Sequence, residues 1–219
     1  MWFSEHREKI GNSMSGYFDS VASSWDENPM KIERARVTAA KVKEIDFGSY
    51  NSVVDFGSGT GLLGIQLRNT FTHVHLADSS AKMLEEAKSK IAKASLNNIH
   101  THQVKCVSEL NSRYSAIVTL MTLHHIPDVQ GFFSQAHSVL EQGGTLIIAD
   151  LYKENGSFHR HNPEFSGHNG FDVSELKVIA EHSGFYVELV EPYFEIFQEN
   201  EAGVEVSYPL FFLVAKKSV

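Results

Sequence analysis

The chain has 219 residues, 42% of them hydrophobic, and is therefore long and apolar enough to bury one full core. Its formal net charge of −8 argues against nucleic acid or an anionic membrane surface as a partner. The single cysteine, Cys106, excludes an intramolecular disulfide framework, and no apolar run reaches the roughly 20 residues needed to span a bilayer. The N-terminal residues lack the apolar centre of a secretion signal, so we predict a cytoplasmic protein.

Strand-like and helix-like patterns alternate along the first two thirds of the chain. Short runs rich in Val and Ile predict strands at 52–56, 73–78, 100–107, 115–121 and 144–152. Amphipathic runs predict helices at 30–45, 79–94 and 128–144, the last ending at a glycine pair suited to a C-cap. This alternation is typical of a parallel sheet with helices on both faces.

The last third of the chain breaks the alternation. A helix is predicted to start at Asp172, with Glu175 three residues later as in a capping box. Two strand-like runs follow at 186–197 and 206–217, joined by a segment too short for a parallel crossover. We therefore predict an antiparallel hairpin, and hence an α/β fold with five parallel strands and a C-terminal hairpin, seven strands in all.

The stretch "VVDFGSGTGLLG" at 53–64 follows the first strand and contains G-x-G-x-x-G. Glycines there allow a sharp turn and bring backbone N–H groups close to a ligand, a pattern shared with dinucleotide sites. Asp55, however, would repel a pyrophosphate and suits a ligand that carries a positive charge. Asp78, at the end of the second strand, can hold a ribose diol, although an Asp there can also cap a helix.

These blocks, together with "LHHIPD" at 123–128 and "LEQGGTLIIAD" at 140–150, resemble class I S-adenosylmethionine-dependent methyltransferases. The likeness is strongest to the small-molecule branch that includes the ubiquinone and menaquinone C-methyltransferases. The resemblance implies a Rossmann-like open sheet, a single methyltransferase domain over 1–219, and an N-terminal segment, 1–35, that forms a lid. Tyr17, Phe18, Trp25 and Arg34 are the lid candidates.

The resemblance also implies which residues surround S-adenosylmethionine. Asp55 and the loop glycines would contact the methionine moiety, Asp78 the ribose, and the segment 119–124 the methyl donor. The family often has an acid that contacts adenine where this chain has Cys106, so backbone groups of Cys106 and Val107, or Ser108 or Glu109, are the alternatives there. The predicted cofactor residues are Trp25, Asp55, Gly57, Ser58, Gly59, Thr60, Gly61, Asp78, Ser79, Met83, Cys106, Val107, Thr119 and Leu120.

Several of the 12 histidines are candidate catalytic residues. His124 and His125 follow the fourth strand, at the edge where α/β sheets bind ligands. The long polar segment 150–171 contributes His159 and His168, which we predict to form part of an acceptor pocket rather than a metal site. By contrast, His73, His75, His100 and His102 alternate along two strands and are expected at the surface.

The predicted function is methyl transfer from S-adenosylmethionine to a small molecule, by a monomer or homodimer with no metal, nucleic-acid or membrane partner. Two alternatives are a nicotinamide-dependent oxidoreductase, which Asp55 and the hairpin oppose, and a catalytically silent cofactor-binding domain. No Asn-Pro-Pro-Tyr or Asp-Pro-Pro-Tyr run follows the fourth strand, which argues against methylation of DNA bases or of protein glutamine. The sequence leaves open whether O, N, S or C accepts the methyl group.

Overall fold

The computed structural model describes residues 16–162, 165–200 and 202–218. The part of the predicted lid at 1–15 lies outside the described residues. The strands are β1 (Ser52–Phe56), β2 (His73–Asp78), β3 (Ile99–Gln103), β4 (Tyr114–Leu120), β5 (Leu140–Leu151), β6 (Phe185–Glu199) and β7 (Glu205–Lys217). The helices are α1 (Pro29–Val42), α2 (Ala81–Lys93), α3 (Val129–Val139) and α4 (Val173–His182), with 3-10 turns at Ala22–Glu27, Gly64–Leu67, Val107–Glu109 and Leu123–His125.

All seven strands form one sheet in the order β3-β2-β1-β4-β5-β7-β6. The first five strands run parallel, β7 is antiparallel to both β5 and β6, and the predicted fold class is confirmed. The chain reverses its winding direction between β1 and β4, which opens a crevice at the C-terminal ends of these strands.

Both faces of the central part of the sheet are covered by apolar side chains. On one face, α1 and α2 pack against the sheet through Ala39, Val42 and Leu84. On the other face, α3 and α4 contribute Phe133 and Leu176. Burial on both faces explains why the central strands β1 and β4 are largely apolar runs rather than alternating ones.

Helix starts follow local sequence rules. Pro29 lies in the first turn of α1, and Asn28 accepts a hydrogen bond from Met30 N. Asp172 caps α4 by accepting from Ser174 N at 2.8 Å, as predicted.

Two predicted boundaries are wrong. The helix predicted over 128–144 ends at Val139, because Leu140 already pairs with Tyr114 in the sheet. Gly143 and Gly144 lie at an irregularity in the pairing of β5 with β4, and this pairing resumes with Ala116 opposite Thr145. The strand predicted over 100–107 ends at Gln103, and Val107 begins a 3-10 turn instead.

Candidate functional site

A cavity of about 670 Å³ lies at the C-terminal ends of the parallel strands, the edge where open α/β sheets bind ligands. Its walls come from the loops that follow β1 to β5 and from the N-terminal segment. Most of the predicted site residues line it: Trp25, Asp55, Gly57, Ser58, Gly59, Asp78, Ser79, Met83, Cys106, Val107, Leu120, His124, His125 and His159. A smaller depression of about 340 Å³ lies at the C-terminal end of α2, away from these residues.

The glycine loop after β1 approaches its neighbours too closely for side chains at three positions, Gly57, Gly61 and Gly64. Gly57 has φ of +72°, and a Cβ there would lie 2.2 Å from Thr122 Cγ2. A Cβ on Gly64 would lie 2.3 Å from Leu76 Cδ2 and 2.9 Å from Asp55 Oδ2. Gly57 N donates to Ala77 O at 2.8 Å, which fixes the loop against the end of β2. The part of this loop that lines the cavity is Gly57, Ser58 and Gly59.

Asp55 holds this loop in place and is itself enclosed. Its side chain is buried, and Oδ2 accepts a hydrogen bond of 2.8 Å from Gly64 N. Burial raises the pKa of Asp55 to about 7, and the charge of Asp78 acts in the same direction. A ligand with a positive charge in the cavity would favour the ionised form of this carboxyl.

Asp78, at the end of β2, bridges the glycine loop and the following turn. Oδ2 accepts from Gly59 N at 2.7 Å and Oδ1 from Ser80 N at 2.8 Å. Burial raises the pKa of Asp78. The N-cap of α2 is Ser80, whose Oγ accepts from Met83 N, so the capping role considered for Asp78 belongs to Ser80.

The loop after β3 forms the end wall of the cavity on the Asp78 side. Cys106 and Val107 line it, as does Gln135 of α3, which was not among the predicted site residues. The thiol of Cys106 lies 3.3 Å from Glu109 Oε1, so this acid is part of the loop's own hydrogen bonding.

The described part of the N-terminal segment lies over the cavity. Phe18, Trp25, Lys31 and Arg34 line it, and the Phe18 ring meets the His125 ring edge-on at 5.3 Å. Lys31 Nζ lies 3.1 Å from the centre of the Trp25 ring, and burial lowers the pKa of Lys31 to about 8. The lid role of this segment stays a prediction.

Arg34 carries an unsatisfied donor at the cavity. Its Nε is buried and has no hydrogen-bond partner among the described residues. Burial also lowers the pKa of the guanidinium. A buried cationic donor of this kind costs free energy until an acceptor reaches it, so it marks a place for an anionic ligand group.

His124 forms a buried pair with Asp150, the residue near the end of β5. His124 Nδ1 lies 2.6 Å from Asp150 Oδ1, and the two side chains are 1% and 0% exposed. Asp150 Oδ2 accepts from His124 N at 3.2 Å, and Oδ1 accepts from Leu151 N at 2.7 Å. Asp150 is held in place by several bonds and was not among the predicted catalytic residues, although its position at the end of the fifth strand is a usable signal.

Two more imidazoles stand beside this pair. The His124 ring centre lies 4.1 Å from that of His125 and 5.0 Å from that of His159, and the His159 ring stacks on Phe165 at 3.6 Å. Burial lowers the pKa of His125 to about 2 and that of His159 to about 4, so both are neutral at pH 7. His125 Nδ1 and His159 Nε2 are buried without a hydrogen-bond partner among the described residues.

The remaining predicted site residues do not line the cavity. His168 Nε2 is 3.0 Å from Ile126 O, and its backbone N donates to His124 O at 2.7 Å, so His168 anchors its loop to the turn after β4. Thr60 donates to Asp26 Oδ1 at 2.6 Å and ties the glycine loop to the N-terminal segment. Gly61 and Thr119 are not part of the cavity lining.

Within the described residues, no group of three or more His, Cys, Asp or Glu side chains could hold a metal ion. The described helices are all too short or too polar to cross a membrane.

The strand order and the antiparallel final strand define the class I methyltransferase fold that the sequence predicts. The glycine loop and the acids at the strand ends belong to the same fold. The chain belongs to the methyltransferase domain family, whose model matches residues 25–190. The predicted family and fold are confirmed, and nothing supports the oxidoreductase alternative.

Three similar proteins illustrate the range of this family. The biotin biosynthesis bifunctional protein BioHC of Saccharophagus degradans is 31% identical over 45% of this chain and 18% of its own length. An uncharacterized methyltransferase of Mycobacterium bovis is 29% identical over 49% of this chain and 55% of its own length. Magnesium protoporphyrin IX methyltransferase from Synechocystis PCC 6803, whose structure contains SAH, matches with a TM-score of 0.73 at 19% identity, over 95% of this chain and 100% of its own. The chain thus spans only a fifth to about half of these two curated relatives.

Proposed function

We propose that this chain transfers a methyl group from S-adenosylmethionine to a small-molecule acceptor. The observation that carries the proposal is one cavity with two chemically different halves. The glycine loop and Asp78 form one half, and the buried His124–Asp150 pair lies at the other. A volume of about 670 Å³ is in the range of small-molecule sites.

The residues of the first half fit S-adenosylmethionine. Asp78 would accept from the ribose hydroxyls, and Cys106 with Val107 would face the adenine. The unpaired Nε of Arg34 matches the methionine carboxylate, and the enclosed carboxyl of Asp55 matches the nearby positive charge of the amino acid moiety. The cofactor supplies a methyl group on a positively charged sulfur, which becomes neutral when the methyl leaves.

The second half supplies a base. Asp150 keeps the imidazole proton of His124 on Nδ1, which leaves Nε2 free to accept a proton. An acceptor with an O–H, N–H or acidic C–H group would lose its proton to His124 Nε2, and its electron pair would form the new bond to the methyl carbon. The rings of Phe18, His125 and His159 shield this step from water.

The lining also bears on which acceptors fit. Three acidic side chains line the cavity, Asp55, Asp78 and Asp128, and three cationic ones, Lys31, Arg34 and Lys105. Apolar and aromatic side chains such as Phe18, Phe132 and Phe158 suit an uncharged or anionic organic acceptor rather than a polyamine. The cytoplasmic location and the monomeric or homodimeric state stay predictions.

Two assays test the proposal. Turnover of methyl-labelled S-adenosylmethionine should be measured with a panel of phenols, thiols, carboxylic acids and amines. Calorimetry with S-adenosylhomocysteine and with NADH should be run on the same protein. We expect labelled product from at least one acceptor and binding of S-adenosylhomocysteine alone. Tight NADH binding, or cofactor binding without turnover on a broad metabolite extract, would contradict methyl transfer.

A further inference from the structure

Four histidines line up on one face of β2 and β3, well outside the cavity. His75 pairs directly with His100 across the two parallel strands, and His73 and His102 each lie two residues from a member of this pair, so all four share one face. Ring centres are 5.0 Å apart for His75 and His100, 5.1 Å for His75 and His102, and 5.7 Å for His73 and His100.

This face is open because the crossover from β3 to β4 contains only a short 3-10 turn, Val107–Glu109. His73 and His100 are exposed, and His75 and His102 are half-buried, with the His75 ring meeting the Tyr114 ring edge-on at 5.0 Å. A longer crossover helix would have covered this part of the sheet, and the strands would then require apolar residues here. The imidazoles instead remain accessible to solvent.

The central pair brings two ring nitrogens together. His75 Nδ1 lies 2.8 Å from His102 Nε2, the distance of a hydrogen bond in which one ring donates and the other accepts. Metal–imidazole bonds are about 2.0–2.1 Å long, and two nitrogens 2.8 Å apart then subtend about 84–89° at the metal. That angle is close to the right angle of square-planar or octahedral coordination and well below the tetrahedral angle that zinc prefers.

We propose that His75 and His102 bind a divalent transition metal, Cu²⁺ or Ni²⁺ in preference to Zn²⁺, on the open face of β2 and β3. With these lengths each lone pair turns by about 45–50° from the partner nitrogen toward the cation, and the ring that donates in the hydrogen bond moves its proton to its outer nitrogen. Water fills the other coordination positions. The bound metal joins β2 to the edge strand β3, three residues before Asp78 on β2.

The test uses the full-length chain without an affinity tag and NiCl₂ as the probe. Two double variants each remove two histidines of the same patch: His75→Gln/His102→Gln, and the matched control His73→Gln/His100→Gln. By calorimetry we expect one Ni²⁺ per wild-type chain. Binding should be at least about tenfold weaker in the first variant, and the Ni²⁺ affinity of the control should stay within threefold of wild type. Equal losses in the two variants, or no binding by the wild type, overturn the proposal.

A second measurement guards against a variant that does not fold. Because the metal binds the native pair, Ni²⁺ should raise the thermal unfolding midpoint of the wild type and of the control, and Mg²⁺ should not. If His75→Gln/His102→Gln is unfolded by circular dichroism, the single change His102→Gln on the edge strand replaces it and should abolish the Ni²⁺ shift. A shift that persists in His102→Gln, or that Zn²⁺ exceeds, contradicts the two-histidine site.

Discussion

Asp78→Ala is the substitution that most sharply separates cofactor binding from local structure. In the proposed complex the Asp78 carboxylate accepts from the ribose hydroxyls, and charge-assisted hydrogen bonds of this kind contribute about 1–3 kcal/mol. The dissociation constant for S-adenosylhomocysteine should therefore rise roughly 5- to 150-fold. Calorimetry at pH 7.5 measures this change directly.

The same substitution also removes two acceptors from the folded chain. Gly59 N and Ser80 N both donate to Asp78, so we expect the free energy of unfolding to fall by about 1–2 kcal/mol, which urea denaturation can measure. Ser80→Ala is the matched control, because it removes the N-cap of α2 at a cost of about 1 kcal/mol and leaves Asp78 in place. Its cofactor affinity should stay within threefold of wild type.

Two outcomes would refute this reasoning. A folded Asp78→Ala variant with unchanged affinity would leave the carboxylate with a purely structural role. Equal weakening by Ser80→Ala would show that the shape of the turn, and not a contact with the ribose, controls affinity.

Three further predictions concern the cavity. Asp150→Asn should lower kcat about 10²- to 10⁴-fold at neutral pH, because His124 loses the partner that fixes its proton. The affinity for S-adenosylhomocysteine, measured by calorimetry, should stay within threefold of wild type. Unchanged turnover would show that the His124–Asp150 pair takes no part in the mechanism. Arg34→Met should weaken S-adenosylhomocysteine binding by about 1.5–3 kcal/mol but leave binding of a decarboxylated analogue unchanged, and equal losses for both ligands would contradict a carboxylate contact. Because the pKa values of His125 and His159 are lowered to about 2 and about 4, these two groups bind fewer protons in the folded state than in the unfolded chain below pH 6.5. Their contribution to the free energy of unfolding should fall from pH 6.5 toward pH 4, by at most about 1.4 kcal/mol per pH unit for each histidine and by less for the half-buried His159. The raised pKa of Asp55 acts in the opposite direction over the same range, so the histidine contribution is read in urea titrations as the difference between the wild type and His125→Gln/His159→Gln, and a difference that does not change with pH would contradict these shifts.

The fold was predictable because its signals are local and agree with one another. Buried parallel strands are continuous apolar runs, and the short segment between the last two strands permits only a hairpin. The end of α3 was not predictable in the same way. A glycine pair is a good local signal for a helix C-cap, but pairing of Leu140 with Tyr114 extends β5 past it, and this contact joins residues far apart in the sequence.

The half of the cavity that we propose for the cofactor could be predicted from the sequence, since Asp55, the glycine loop and Asp78 keep fixed positions relative to their strands. The acceptor half depends on tertiary contacts. His124 and His168 look alike in sequence, yet His124 meets Asp150 and lines the cavity, whereas His168 bonds to the backbone of Ile126.

The proposed role of Arg34 also depends on tertiary contacts that the sequence does not reveal. It was predicted only as part of a lid, because nothing near it in the sequence reveals that its Nε would be buried at the cavity without a partner. An unsatisfied donor becomes visible only when every neighbour has been placed.

A crystal structure of the chain with S-adenosylhomocysteine tests the central claim most directly. The ribose is expected on Asp78, the carboxylate on Arg34 and the adenine beside Cys106 and Val107, with the sulfur facing His124 across open space large enough for an acceptor. A ligand bound outside this cavity, or bound with its sulfur turned away from His124, would contradict methyl transfer at this site.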